Sequence, residues 1–295
     1  MNLKDLITNI DLLNEISSEL LDYEIKGITD NSSEISKGDL FVAISGYQKD
    51  GHDFINDAIK AGALAIIGER DTDSLTVPYF KVTNSRKSLG MLAKNYYNNP
   101  SKRKVMIGIT GTNGKTTTSY LIRHVLEEQG ITCSVIGTNQ NIINGNIQPA
   151  SQTTPSTLEL HKLLQQSNDP IVILEVSSHG LAQHRIEGIE FDYCLFTNLG
   201  HDHLDYHSSI EEYFNTKQKL FDKLKPDGVA VINADDHYGN RILTSFTNRK
   251  NQKVISIGRE VTNSLAILEH ELSRTHEVQT GFRRFFHQDA FTWYT

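Results

Sequence analysis

The apolar run Val105-Met106-Ile107-Gly108-Ile109 leads into Gly111-Thr112-Asn113-Gly114-Lys115-Thr116-Thr117-Thr118. A helix-forming stretch follows from Thr116 to Gln129, where Gly130 stops it. Few architectures accommodate that order. Glycines let the chain turn sharply off a strand, and the N–H groups of the turn then converge at a helix N-terminus. This makes an anion site of phosphate size at the carboxyl edge of an α/β sheet. Lys115 can reach terminal phosphates, and the Thr116 hydroxyl can coordinate Mg²⁺. Gly111, Thr112, Asn113, Gly114, Lys115, Thr116 and Thr117 are therefore the expected phosphate-binding residues. The strict pattern G-x-x-x-x-G-K-[ST] is not met, because Ile109 stands where it needs glycine. The competing reading is a glycine turn that carries a surface lysine.

The rest of the chain alternates strands with helices. Short apolar runs predict strands at 40–44, 63–67 and 79–82. Leu89, Leu92, Ala93 and Tyr96 share one face of a helix over 85–97. Asn98-Asn99-Pro100-Ser101 then breaks the pattern, and a domain boundary is placed there. Further strands are expected at 132–136, 171–176, 193–197, 229–232 and 254–257, several with helices between them. Near-continuous apolar strands between helices predict a mostly parallel sheet covered on both faces. The predicted fold class is α/β: an N-terminal domain over 1–99, then a phosphate-loop domain over 100–276. Residues 277–295 form an atypical tail. It packs six aromatic residues, including the only Trp, into no clear period.

Composition narrows the function. Lys+Arg 29 against Asp+Glu 36 gives a net charge of −7, which disfavours bulk nucleic-acid binding. The two cysteines, Cys133 and Cys194, cannot build a disulfide framework or a four-thiolate zinc site, and they read as core residues of a reduced protein. The N-terminus carries scattered charge and no apolar core of a signal peptide, and no run approaches the ~20 apolar residues of a membrane span. The expectation is a cytoplasmic protein without membrane insertion.

Three features suggest chemistry. Glu175 lies near the carboxyl end of the apolar run 171–176, where a carboxylate can hold Mg²⁺ opposite the phosphate loop; the other reading is an exposed strand end. His201-Asp202-His203-Leu204-Asp205-Tyr206-His207 holds three histidines but no thiolate. That composition favours one histidine in a magnesium site with Glu175 over zinc, the other reading being a polar loop before a helix. Finally, Lys217 lies on the apolar stripe Ile210, Phe214, Phe221 and Leu224 of a helix predicted over 209–224. A lysine facing inward must snorkel, find a counter-ion or lose its charge. A neutral amine can also take up CO₂ as a carbamate.

Together these segments resemble the Mur ligase superfamily, in its MurE-type branch, over residues 26–276. The motifs are Gly-Ile-Thr-Gly-Thr-Asn-Gly-Lys-Thr-Thr-Thr at 108–118, Thr-Thr-Pro at 153–155 and Glu-Val-Ser-Ser-His-Gly-Leu at 175–181. Gln-His-Arg at 183–185, Asp-His-Leu-Asp-Tyr-His at 202–207 and Asn-Ala-Asp-Asp at 233–236 complete them. The resemblance implies an ATP-dependent amide ligase of peptidoglycan synthesis. Such a ligase adds meso-diaminopimelate or L-lysine to UDP-N-acetylmuramoyl-L-alanyl-D-glutamate through an acyl phosphate. It further implies ATP and two Mg²⁺ sites as cofactors, with Lys115, Glu175, His203 and Lys217 as catalytic residues. The implied metal ligands are Thr116, Glu175, His203 and a carbamylated Lys217. Thr153, Thr154, Ser177, Gln183 and Arg185 match positions that hold the muramoyl-dipeptide. Ser32, in Asp30-Asn31-Ser32, and Gly46-Tyr47 with Asp50-Gly51-His52 match the uridine side. The implied partners are that nucleotide substrate and an amino acid, with no nucleic acid and a monomeric state.

Two departures stand out. Ser33 replaces the arginine usual after that serine. The family's adenine-contacting segment and C-terminal domain have no counterpart in these residues, so impaired turnover is expected. The alternatives are a non-catalytic nucleotide-binding fragment, another Mur or folylpolyglutamate-type ligase, and a phosphate-loop NTPase switch.

Overall fold

Near-continuous apolar strands need cover on both sides, and each of the two sheets meets that need. The computed structural model describes residues 1–15, 17–46, 49–72, 74–203, 205–246, 252–260, 262–272 and 278–284. The chain divides into two compact units. One comprises Met1–Lys104, Thr154–Asn168 and His179–Ile189; the other comprises Val105–Thr153, Asp169–Ser178 and Glu190–Thr295.

The first unit begins with helix α1 (Leu3–Leu6), strands β1 (Ile28–Thr29) and β2 (Leu40–Val42) and helix α2 (Ile55–Ala61). Strands β3 (Ala65–Gly68) and β4 (Tyr79–Lys81) and helix α3 (Ser85–Tyr96) follow. The four strands pair in parallel in the order β1-β2-β3-β4. Alternation sends Leu40, Val42, Ala65, Ile67 and Phe80 to one face, where Leu3, Leu6, Leu89 and Leu92 cover them. Phe41 and Ile66 face the other side, against Ile55 and Ala58 of α2. Each such fully buried large side chain contributes about 1.5–3 kcal/mol. Gly62 ends α2 at φ +108°, a left-handed turn that suits glycine.

The second unit opens with β5 (Val105–Thr110), the phosphate loop and α4 (Lys115–Glu128), then β6 (Cys133–Ile136), β7 (Gln140–Ile143) and β8 (Asn146–Pro149). The chain returns to the first unit with α5 (Thr157–Gln166), goes back to β9 (Ile171–Glu175) and leaves through α6 (Ser178–Ala182). β10 (Phe191–Phe196), α7 (Ile210–Gln218), β11 (Leu224–Asn233), α8 (His237–Phe246), β12 (Lys253–Gly258), β13 (Leu265–Leu272) and β14 (Val278–Arg284) complete it. The sheet order is β14-β13-β12-β11-β10-β5-β9-β6-β7-β8. From β6 to β13 the pairing is parallel. Antiparallel β7–β8 and β14 form the margins. Both cysteines are buried in this unit's core.

The mostly parallel α/β expectation holds, with three adjustments. The hairpin β7–β8 was not predicted; Asn144 (φ +53°) and Gly145 (φ +76°) make its turn, since both central residues need the left-handed region. The helix predicted over 209–224 is α-helical only to Gln218 and tightens into a 3₁₀ turn, Lys219–Lys223, before β11. β14 takes residues 278–284 of the atypical tail into the sheet; Phe285, Phe286, Phe291, Trp293 and Tyr294 lie outside the described residues. Among the described residues no helix is long and apolar enough to cross a membrane.

Candidate active site

β5 lies between β9 and β10, and the chain leaves it towards β6 on one side while β10 sits on the other. Such a switch point is where parallel sheets collect ligands. The phosphate loop turns there. Gly111 (φ +151°) and Gly114 (φ +85°) adopt backbone that L side chains rarely take, and a Cβ at Gly111 would strike the Thr197 hydroxyl. The loop is stitched to the end of β10. Thr112 N–H donates to the Asn198 carbonyl (2.9 Å), Asn113 N–H to Asn198 Oδ1 (3.0 Å), and Thr197 Oγ1 to the Asn113 carbonyl (2.7 Å). Asn198 was not picked out in the sequence, where nothing marks it apart from its place after an apolar run. Gly111→Ala should lose at least ~1 kcal/mol of stability and most anion binding, because strain and the Thr197 clash act together. Urea unfolding and phosphate-analogue titration check this.

Two lysines converge on the loop. Lys115 Nζ donates to the carbonyls of Gly111 (2.9 Å) and Thr112 (3.0 Å), and Lys217 Nζ donates to the same Gly111 carbonyl (2.8 Å). Lys217 is 1% exposed, so the snorkelling reading is excluded. Burial, together with the nearby Lys115 charge, pushes its pKa down to about 7. Burial also holds Lys115 below the usual lysine range, with Glu175 and Asp202 opposing.

Glu175 is fully buried, not an exposed strand end. Its Oε2 accepts from Thr116 Oγ1 (2.9 Å) and Thr138 Oγ1 (2.7 Å), and Ser119 Oγ lies 3.2 Å from Oε1. Gly137 makes room, since a Cβ there would overlap the carboxylate. Thr138 and Ser119 were missed in the sequence; Ser119 lies three residues past Thr116 on α4, one helical turn on. A hydroxyl against a buried carboxylate is an all-oxygen donor set of the kind Mg²⁺ takes, so Thr116 and Glu175 fit that ion. Lys217 fits as a ligand only once its amine carries a carboxylate. His203 sits on an exposed turn at φ +55° and stacks edge-on to Tyr213 at 6.1 Å. Tyr213 also carries Lys217 Nζ over its ring at 4.5 Å. Among the described residues no group of three or more His, Cys, Asp or Glu is arranged to hold a metal ion.

The expected substrate residues divide between the units. In the first, Arg185 Nη1 donates to the Thr154 carbonyl (2.7 Å), and Arg185 Nε and Nη2 donate to Gln183 Oε1 (3.1 and 2.7 Å). Ser32 opens a 3₁₀ turn capped by Asn31, which accepts from Ser33 N–H (3.1 Å). Asp50 accepts from the N–H and ring of His52 (2.9 and 2.6 Å) and pairs with Arg70; Tyr47 lies outside the described residues. In the second unit, Thr153 Oγ1 is 3.1 Å from Thr138 Oγ1, and Ser177 follows β9 by two residues. Thr117 is exposed in the first turn of α4.

A parallel sheet with this loop at its carboxyl edge, and a buried carboxylate on the next strand, defines a P-loop-type α/β protein. Residues 109–289 match the Mur ligase middle domain, and residues 24–97 match the Mur ligase family catalytic domain. The chain belongs to the Mur ligase family. It is 42% identical over 256 residues to the UDP-N-acetylmuramoyl-L-alanyl-D-glutamate--2,6-diaminopimelate ligase of Clostridium tetani, over 84% of this chain and 52% of that protein. A solved structure of a ligase of that name superposes with a TM-score of 0.82 at 28% identity, over 96% of this chain and 57% of the other. The MurF ligase from Thermotoga maritima in complex with ADP gives a TM-score of 0.55 at 25% identity, over 88% and 56%. The chain thus spans about half the length of the curated relatives it matches.

Proposed function

We propose that this chain carries the nucleotide- and precursor-binding part of an ATP-dependent amide ligase. The ligase would add a diamino acid to UDP-N-acetylmuramoyl-L-alanyl-D-glutamate in peptidoglycan synthesis. The observation that carries the reading is the Thr116–Glu175 pair beside a loop on which two lysine amines meet. The relatives' names favour 2,6-diaminopimelate over L-lysine as the incoming amino acid. In this reading 1–99 takes the uridine side, and 100–276 takes ATP.

The D-Glu side-chain carboxylate attacks the γ-phosphate, ADP leaves, and the resulting acyl phosphate yields inorganic phosphate when the amine attacks. Two anions must approach, so positive charge at the reacting phosphate lowers the barrier. Mg²⁺ would supply part of that charge, held by Thr116 and Glu175 and, at a second site, by Glu175, His203 and carbamylated Lys217. Lys115, drawn from the Gly111 carbonyl to phosphate oxygens, supplies the rest. A neutral Lys217 amine is the form that can react with CO₂, and its burial supports that step. Within the first unit, Arg185 with Gln183 and the Thr154 segment would hold part of the muramoyl-dipeptide.

Calorimetric titration with the UDP-muramoyl-dipeptide, in Mg²⁺ and a non-hydrolysable ATP analogue, tests the reading. Saturable binding is expected. Arg185→Ala should weaken it roughly 10–100-fold, the worth of one charged hydrogen-bonded contact. A folded chain that binds neither ligand would defeat the proposal. The second reading, a nucleotide-binding module without turnover, is favoured by the half-length match. Nucleotide binding without formation of tripeptide product would support it.

A further inference from the structure

Tyr213, which no sequence motif marks, touches Thr112 of the phosphate loop, Lys217, His203 and His207. It is fully buried on α7, one helical turn before Lys217. Its hydroxyl is 3.2 Å from Thr112 Oγ1. Thr112 Oγ1 also accepts from Gly200 N–H at 2.9 Å, at the entrance to the histidine loop. The Tyr213 ring carries Lys217 Nζ over its face and has the rings of His203 (6.1 Å) and His207 (5.1 Å) beside it. One side chain therefore joins the phosphate loop, the histidine loop and the buried lysine.

We propose that Tyr213 is a positioning residue for phosphate binding: its hydroxyl orients Thr112, and its ring face holds the Lys217 amine on the Gly111 carbonyl. The hydrogen-bond inventory gives the reason. A threonine oxygen has two acceptor positions and one proton. Gly200 N–H fills one acceptor position, and a Tyr213 O–H donating to the other leaves the Thr112 proton for an acceptor beyond this trio. Thr112 is only partly buried, so a phosphate oxygen can be that acceptor. The ring contributes separately. Its negative face attracts a cation or the N–H groups of a neutral amine, and its bulk shields the Lys217 amine from water.

This inference rests on the reading that the loop takes nucleotide phosphates, and its test separates the two. Tyr213→Phe keeps the ring and removes the hydroxyl, so urea unfolding should stay close to wild type. The variant should bind the ATP analogue with Mg²⁺ about 5–10-fold more weakly, the cost of one lost hydrogen bond. Thr112→Val should do the same, and the double variant should be no weaker than Thr112→Val alone, because the hydroxyl acts through Thr112. Amide exchange in the ligand-free chain gives a readout without nucleotide. Gly200 N–H should exchange at least tenfold faster in Tyr213→Phe, with β5 amides unchanged. Additive affinity losses, or unchanged affinity, would overturn the proposal. If the wild-type chain binds no nucleotide, the ATP reading fails and exchange alone decides. Unchanged exchange at Gly200 would then overturn the role of Tyr213.

Discussion

Glu175→Gln is expected to remove the Mg²⁺ dependence of nucleotide binding and to weaken ADP affinity in Mg²⁺ roughly 100-fold. The amide keeps the volume of the carboxylate but has no charge for a divalent cation. The decisive measurement is ADP titration with Mg²⁺ and with EDTA. Wild type should lose affinity on chelation, whereas the variant should already sit at the chelated value. A variant that still responds to Mg²⁺ would remove Glu175 from the metal site. Stability should separate from binding. In Glu175→Ala the Ser119 hydroxyl can turn to the Thr116 carbonyl 2.8 Å away, and Thr138 can turn to Thr153. Thr116 loses its acceptor. The expected destabilisation is therefore about 2 kcal/mol, close to one buried unsatisfied group plus a small cavity, and well short of three lost hydrogen bonds.

Lys217→Met should stabilise the chain at pH 6 and flatten its stability profile. In the folded state the amine titrates near 7, against 10.5 when unfolded. Between those values the unfolded chain binds more protons, so wild-type stability rises with pH across that window. Below pH 7 the folded state must bury a charge, and the full penalty is present. Methionine removes the charge and keeps most of the volume, for a gain on the order of 3 kcal/mol at pH 6. Lys115 contributes with the same sign, since burial lowers its pKa too, so some slope should survive. Urea unfolding from pH 6 to 10 in CO₂-free buffer reads this directly. A wild-type profile that falls with pH across the window would refute the argument.

The parts of the fold legible in the sequence were those governed by local periodicity. The β5–loop–α4 unit, the buried strand ending in Glu175 and the stripe carrying Lys217 all follow from spacing along one element. The β7–β8 hairpin has a local signal in Asn144-Gly145, flanked by Ile142, Ile143 and Ile147, which is a hairpin pattern and not the continuous apolar run of a parallel strand. Tyr213 was readable too, because it lies four residues before Lys217 and so on the same helical face. Thr138 and Asn198 were not. Each follows a different strand, and only the β6-β9 and β5-β10 neighbour relations bring them to Glu175 and to the loop. The family resemblance implies substrate roles for Thr154, Gln183 and Arg185, whose hydrogen bonding depends on a return of the chain to the first unit that no local pattern announces.

That return governs how the protein can be cut. The chain changes unit at 104/105, 153/154, 168/169, 178/179 and 189/190. α5 packs on α3, and a Cβ at Gly90 of α3 would collide with Glu187, so both borrowed segments lie against the N-terminal helix layer. The His161 ring on α5 is fully buried and meets the Glu187 carbonyl at 3.0 Å, tying the two segments together. An expression product ending at Lys104 would leave that side of α3 bare. One ending near Asn168 would still lack the Glu187 turn. Limited proteolysis at a single site cannot release two self-sufficient pieces. Fragment libraries, split reporters and domain swaps with relatives must keep everything up to Ile189 on one polypeptide.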